Sequence, residues 1–214
     1  MENVLIIGAH YDDAELGVGG TAAKLVHQGC KVYKLTLTDN EVEKSAYNQA
    51  THKKDSIIES AKACQILGIT EITDFEPEPV CHLKYSTEIM QRVEKIIREY
   101  KIDTVFIHSE YDMNQDHCEA ARISKVAARY CKNILIYQSN LYICEKPFYP
   151  TVFFDISDYI EQKKEAMAQY GIEHQRFRAE EESLFENNIR RNQVWGYSNS
   201  VKYAEGFLPF KLLL

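Results

Sequence analysis

Val4-Leu5-Ile6-Ile7-Gly8 runs without a break into Ala9-His10-Tyr11-Asp12-Asp13. The first five residues are continuously apolar and partly β-branched. That pattern belongs to a strand covered on both faces, as in a parallel sheet. The next five carry an imidazole and two carboxylates directly at the strand's carboxyl end. In open parallel α/β sheets, ligands bind outside the carboxyl ends of the strands.

The remaining chain continues the alternation. Gly17, Gly19 and Gly20 lead into a helix over Thr21–His27, and Val32–Thr38 reads as a second strand. Lys53–Leu67 reads as an amphipathic helix with Ile57, Ile58, Ala61 and Leu67 inward, stopped by Gly68. Ile69–Phe75 reads as a third strand. Ser86–Tyr100 reads as a helix, with Ile89, Val93, Ile96 and Ile97 at helical spacing. Thr104–Ile107 is a strand, Asp116–Tyr130 a helix, Ile134–Tyr137 a strand and Val152–Ile156 a sixth strand. Ser157 or Asp158 caps a long helix running to about Tyr170. The expected fold is one α/β domain over residues 1–214, a Rossmann-like, mostly parallel sheet with helices on both faces. The part after Ile172 breaks the rhythm and is expected to pack back on the same domain.

Bulk properties narrow the partners. The 214 residues carry a formal charge of −7, and 45% are hydrophobic. An acidic chain is poorly matched to nucleic acid, whose binding rests on Lys and Arg neutralising phosphates. There is no run long enough for a membrane span and no secretory start, so the reading is cytoplasmic. The six cysteines show no CxxC pair and read as reduced thiols. A homo-oligomer is compatible with the sequence.

Asp12 and Asp13 have a plain reading as acidic residues facing the positive end of a helix dipole. They also have a chemical one: two carboxylates crowded beside His10 are costly unless a cation neutralises them. A second loop, Asp112-Met113-Asn114-Gln115-Asp116-His117, follows the fourth strand at the same sheet edge. Its plain reading is a polar loop with Asp116 as helix cap. Together the loops offer His10, Asp13 and His117, three protein ligands with a position left open, as in catalytic zinc sites. A two-histidine, one-carboxylate set also suits Fe(II) or another divalent metal. Asp112 or Asp116 is placed to orient an imidazole from behind. A nucleotide reading of Gly17-Val18-Gly19-Gly20 is the weaker one: Ala22 leaves the glycine fingerprint incomplete, and Asp12, Asp13 and Glu15 repel a pyrophosphate.

These residues resemble the PIG-L/LmbE-like zinc-dependent N-acetylglucosaminyl deacetylases. That family opens with Ala-His-Pro-Asp-Asp-Glu and a Gly-Gly pair, against Ala9-His10-Tyr11-Asp12-Asp13-Ala14-Glu15 and Gly19-Gly20 here. Its second signature resembles Asp112–His117. Leu67-Gly68, Lys164-x-Ala166 and Tyr203-Ala204-Glu205-Gly206-Phe207 are weaker echoes. The resemblance implies a hydrolase removing acetyl from an N-acetylglucosamine-type moiety of a small-molecule conjugate. It assigns the metal to His10, Asp13 and His117 and general-base chemistry to Asp12. Asn114 stands where many members carry a histidine; it can donate to an oxyanion but cannot carry a proton, leaving both transfers to Asp12. Tyr11 replaces the proline, a change expected in loop stiffness more than in chemistry. Tyr111, Gln115 and His108 are the candidates for substrate contact, His108 equally for a supporting role. Rival readings are a zinc amidase acting on a thiol conjugate and a non-hydrolytic nucleotide-binding module.

Overall fold

A computed structural model describes residues 1–43, 50–140, 144–171 and 184–213. Seven strands form one sheet: β1 (Asn3–Gly8), β2 (Lys31–Thr36), β3 (Thr70–Glu71), β4 (Thr104–His108), β5 (Asn133–Tyr137), β6 (Val152–Asp155) and β7 (Ala204–Lys211). Their order is β3-β2-β1-β4-β5-β7-β6. The first five run parallel; β7 is antiparallel to both β5 and β6. From β1 the chain steps outward to β2 and β3, then crosses back to start β4 on the other side. The crevice between β1 and β4 is therefore the topological switch point, where such sheets bind ligands.

Both sheet faces are apolar because both are covered. Val4, Ile6, Val32 and Phe106 pack beneath α1 (Asp13–His27), α2 (Lys53–Leu67) and α5 (Ile160–Met167). Leu5, Ile7, Leu35, Val105 and Ile107 pack against α3 (Thr87–Glu99) and α4 (Gln115–Ala127). The remaining helix, α6 (Leu184–Ser198), lies against β7.

The structure corrects the sequence reading at several boundaries. Helix α1 starts at Asp13, eight residues ahead of Thr21, and runs through its own glycines. A Cβ on Gly17 would lie 2.2 Å from the Tyr137 ring, so only glycine lets this helix sit down on β5. Helix α2 keeps its predicted bounds but not its predicted face. Ile57 and Ile58 are exposed, and the buried side is Ser56, Ser60, Ala63, Cys64 and Leu67. Small side chains there admit α5, and Ser60 serves a buried lysine.

Strand β3 shrinks to Thr70–Glu71 because Glu78, arriving from the loop beyond Pro77, takes over pairing beside Thr38. The long helix before Tyr170 is a 3₁₀ turn, Ser157–Tyr159, followed by the shorter α5. Strand β7 was not legible: Pro209 sits inside it, and the β5–β7 register shifts there between Ile134 and Leu135. The stretch Asn40–Ala50 is described only in part. His174 and the acidic run Glu180–Glu182 lie outside the described residues.

Candidate metal centre

Two loops deliver the site, each strapped by its own sequence. After β1, the Ala9 carbonyl accepts from the Thr38 amide (2.9 Å) and hydroxyl (2.7 Å). The Tyr11 carbonyl accepts from Lys34 Nζ (2.5 Å) and the Tyr170 hydroxyl (2.7 Å). The His10 amide donates to Asp13 Oδ2 at 2.8 Å, closing the turn that starts α1. After β4, the Asn114 amide donates to Asp112 Oδ1 (2.9 Å). Asn114 Oδ1 then accepts from the amides of Asp116 (2.8 Å) and His117 (3.4 Å). Asn114, and not Asp116, is thus the N-cap of α4. The first turn of α4 places His117 in the crevice.

Three donors converge there. His10 Nδ1 lies 3.2 Å from His117 Nε2, His117 Nε2 lies 3.2 Å from Asp13 Oδ1, and His10 Nδ1 lies 3.5 Å from Asp13 Oδ2. Ligands about 2.0–2.1 Å from a tetrahedral zinc are separated by about 3.3 Å. Among the described residues these three form the one group of His, Cys, Asp or Glu whose donor atoms lie mutually within 4.8 Å. A divalent metal fits this set.

Each of these three side chains is held from behind. His117 Nδ1 faces Asp112 Oδ2 at 3.2 Å, and His10 Nε2 faces Asp116 Oδ2 at 3.3 Å. Asp116 Oδ2 also accepts from the Cys81 amide at 2.7 Å, tying the 76–85 loop to the site. His108 Nε2 is 3.0 Å from Asp13 Oδ2, and the His108 ring stacks on His117 with centroids 4.1 Å apart. Carboxylate–imidazole–metal relays of this form fix the tautomer of a ligating histidine.

The electrostatics favour positive charge at the convergence point. Burial disfavours the His117 cation, but Asp13 and then Asp112 outweigh it and raise its pKa to about 9. Burial likewise opposes the His10 cation, and Asp116 and Asp13 hold its pKa well above the ordinary value. Burial would raise Asp13, yet His117 and His108 hold it well below the usual carboxylate range. His108 moves the other way, pushed down by burial and then by His117, so it stays neutral.

The remaining predicted residues fall in different places. Asp12 flanks the ligands at the head of α1, nearly buried, and its side chain makes no capping hydrogen bond. Asn114 turns its carbonyl oxygen to the α4 cap. His108 is buried beneath Asp13, while Gln115 is exposed at the start of α4. Tyr111 is partly exposed with the Lys146 ammonium 3.8 Å from its ring centroid. His52 pairs with Glu41 (3.0 Å) and His27 packs near Tyr159. All six cysteines are free thiols.

Sequence reasoning missed the supports. The Tyr137 hydroxyl donates to the Ile7 carbonyl (2.9 Å) and lies 3.0 Å from His108 Nε2. Lys34, fully buried, contacts Glu15 Oε1 (2.9 Å), Ser60 Oγ (2.9 Å) and the Tyr170 hydroxyl (3.0 Å). Lys163 pairs with Glu205 (2.7 Å), whose carboxylate accepts from the Gly20 and Thr21 amides. One signal was available: Lys34 interrupts an apolar strand, and a lysine there needs a buried anion.

These features define a Rossmann-like α/β domain with a two-histidine, one-carboxylate cluster able to hold a divalent cation at its switch point. The PIG-L family, described as GlcNAc-PI de-N-acetylase, matches residues 5–128, and the chain belongs to it. The chain is 28% identical over 233 residues to the diacetylchitobiose deacetylase of Thermococcus kodakarensis, across 98% of this chain and 84% of that protein. A conserved protein from Thermus thermophilus superposes with a TM-score of 0.82 at 23% identity, covering 100% of this chain and 97% of the other. The 4-carboxy-2-hydroxymuconate hydratase of Pseudomonas putida superposes with a TM-score of 0.81 at 19% identity, covering 100% and 98%. The fold thus hosts more than one chemistry, and the site must carry the functional argument. No helix among the described residues is long and apolar enough to cross a membrane.

Proposed function

We propose that the protein is a zinc-dependent N-deacetylase acting on an N-acetylated amino sugar within a small conjugate. The carrying observation is the convergence of His10 Nδ1, Asp13 and His117 Nε2 with Asp12 beside them and a carboxylate behind each imidazole. Family membership and the diacetylchitobiose deacetylase relative support the substrate class.

His10, Asp13 and His117 would hold a divalent metal, which would supply Lewis acidity toward the amide carbonyl and make water more acidic. The chain's own residues do the rest. Asp12, next to the ligand Asp13 and uncommitted to capping α1, takes the proton of the attacking water. The water oxygen bonds to the acetyl carbon, and the C–N bond breaks. Asp12 returns the proton to the nitrogen as that bond breaks, giving acetic acid and the amine, and the acid's remaining proton passes to the amine or to solvent, so acetate leaves. Asn114 Oδ1 is tied to the α4 cap, which leaves its amide group as the part able to donate to the developing oxyanion. With no imidazole at that position, one carboxylate handles both proton transfers. His108 keeps Asp13 oriented and does not itself reach substrate.

The test joins elemental analysis with an acetate-release screen over N-acetylglucosamine conjugates. The expected result is about one zinc per chain and acetate from at least one amino-sugar conjugate. Release of a larger acid from a thiol-conjugate amide, with no acetate, would move the protein to the rival amidase reading. Bound nucleotide without metal would end the hydrolase reading.

A further inference from the structure

A groove of about 280 Å³ lies between the last turns of α3 and α4, at the edge of the sheet where β4 begins. His108 ends β4 on the opposite edge, so the five residues of β4, at about 3.3 Å each, separate the groove from the metal centre. Ile97, Ile102 and Ala127, all buried, form its floor, and Tyr130 stands at its rim, 80% exposed. The closure of α3 shapes it. The Ile102 amide donates to the Ile97 carbonyl (2.9 Å) and the Lys101 amide to the Arg98 carbonyl (3.2 Å). Such a pair of bonds ends a helix on a left-handed residue. Here that residue is Lys101, at φ +52°. Glycine takes the position without strain, and a side chain resists it. The lysine lines the groove with a long cation. Among the described residues its Nζ has no hydrogen-bond or ion-pair partner.

Charge selects the ligand. Arg98 also lines the groove, and Arg129 lies beside it. Glu94 is their shared partner: it pairs with Arg98 and takes Arg129 Nη2 on both oxygens at 3.1 Å. With Lys101, three cations meet one carboxylate, in a chain whose formal charge is −7. Lys95 and Glu99, farther along the α3 surface, add one charge of each sign. The carbonyl ends of two helices offset about one unit of the positive excess. What remains suits a single anionic group, with Lys101 as its free partner. The floor is apolar, so that group must be carried on an apolar body. The volume is roughly twice the void of about 150 Å³ that holds one benzene-sized ring.

We propose that this groove is a second ligand site, remote from the metal centre, for a small amphipathic monoanion: a flat apolar body of about two rings carrying one carboxylate, which Lys101 binds. The site stands independently of the deacetylase reading. The test is calorimetric titration of the metal-loaded full chain with 2-naphthoate and with 2-naphthamide, which keeps the shape and lacks the charge. Naphthoate is expected to bind at one site, at least about tenfold tighter than the amide, the worth of a charged hydrogen bond. Lys101→Gly removes the ammonium and relieves the left-handed strain. Its Tm should hold or rise, while naphthoate weakens to within about threefold of the amide. Tyr130→Ala, at an exposed position, should weaken both probes alike, by roughly two- to tenfold, the worth of one aromatic contact. Thermal unfolding of both variants shows that they fold. Equal affinity for the two probes overturns the site. So does a naphthoate advantage that survives in Lys101→Gly, the outcome expected of a carboxylate seated on the metal instead.

Discussion

Two clusters of buried charge flank the first turn of α1, and they are built on opposite plans. In one, Lys34 sits among Glu15, Ser60, Tyr170 and the Tyr11 carbonyl. The Lys34 ammonium meets the Glu15 carboxylate, the Ser60 hydroxyl donates to Glu71 (2.5 Å), and the Tyr170 hydroxyl donates to the Tyr11 carbonyl. The network is closed. In the other, two imidazole nitrogens point at each other across 3.2 Å with a carboxylate oxygen equally near one of them. Asp12, Asp13, Asp112 and Asp116 surround them, in excess of the charge the histidines can carry. A cluster whose polar groups satisfy one another is architecture; a cluster whose lone pairs converge under excess negative charge is suited to a cation. The first holds the His10–Asp13 turn in place, and the second uses it.

The sharpest way to break this contrast is to alter the group that should move protons. Asp12→Asn is expected to retain metal and to lose about 10²- to 10⁴-fold in kcat, the range for general acid–base catalysis. Acetate release and metal content measured on one preparation decide it. Turnover near wild type would strip Asp12 of its role. The next largest effect is on the cation itself. His117→Ala removes the ligand between Asp13 and Asp112, so dialysed protein should contain little zinc. Added zinc at 1,000 times the wild-type Kd should stabilise the wild type by about 4 kcal/mol and the variant by far less, a difference that thermal unfolding resolves. Unchanged zinc content would take His117 out of the ligand set.

The contrast also explains how much the sequence disclosed. The convergence of His10, Asp13 and His117 was legible because metal chemistry restricts residue types and strand ends restrict position. Neither loop convinced alone; the parallel alternation that brings two strand ends to one edge made them a pair. The backing carboxylates were half legible, since Asp112 and Asp116 are visible but their division between His117 and His10 is a matter of three dimensions. The closed cluster was nearly invisible. Its members, Glu15, Lys34, Ser60 and Tyr170, span three elements and the segment after α5 and obey no spacing rule. The buried face of α2 misled for a related reason. Ile57 and Ile58 carry the hydropathy, but Ser60 faces inward because Lys34 needs an acceptor. Strand β7 hid behind Pro209, and α1 hid behind glycines that usually end helices.

Removing one member of the closed cluster should cost folding, not chemistry alone. Lys34→Met leaves Glu15 buried without its cation, and breaking a buried pair in this way costs about 3–5 kcal/mol. Denaturant unfolding measures it. The double change Lys34→Met with Glu15→Leu removes both charges and should recover most of that loss, since a well-packed apolar replacement of a buried pair is often neutral. A double variant no more stable than the single one would mean that the cluster's worth lies in its hydrogen bonds to Tyr11, not in charge balance.

The smallest effect separates the clusters by pH. In the metal-free protein His117 has a pKa of about 9 when folded, against about 6.5 when unfolded. A raised pKa means that its contribution is complete below pH 6.5 and is lost as pH rises through 9. His10, also raised, acts in the same direction. Metal-free stability should therefore fall from pH 6.5 to 9, by on the order of 3 kcal/mol from His117. Lys34 is held well above its ordinary value, where burial opposes its charge and Glu15 prevails, so its own proton adds no slope in this window. With zinc bound, the metal occupies the place of the proton. The slope should flatten, and zinc binding near pH 7.5 should release protons, read by calorimetry in buffers of different ionisation heat. A metal-free stability that stays level from pH 6.5 to 9 would show that the converging imidazoles carry no proton, and the account of excess negative charge at the centre would fail with it.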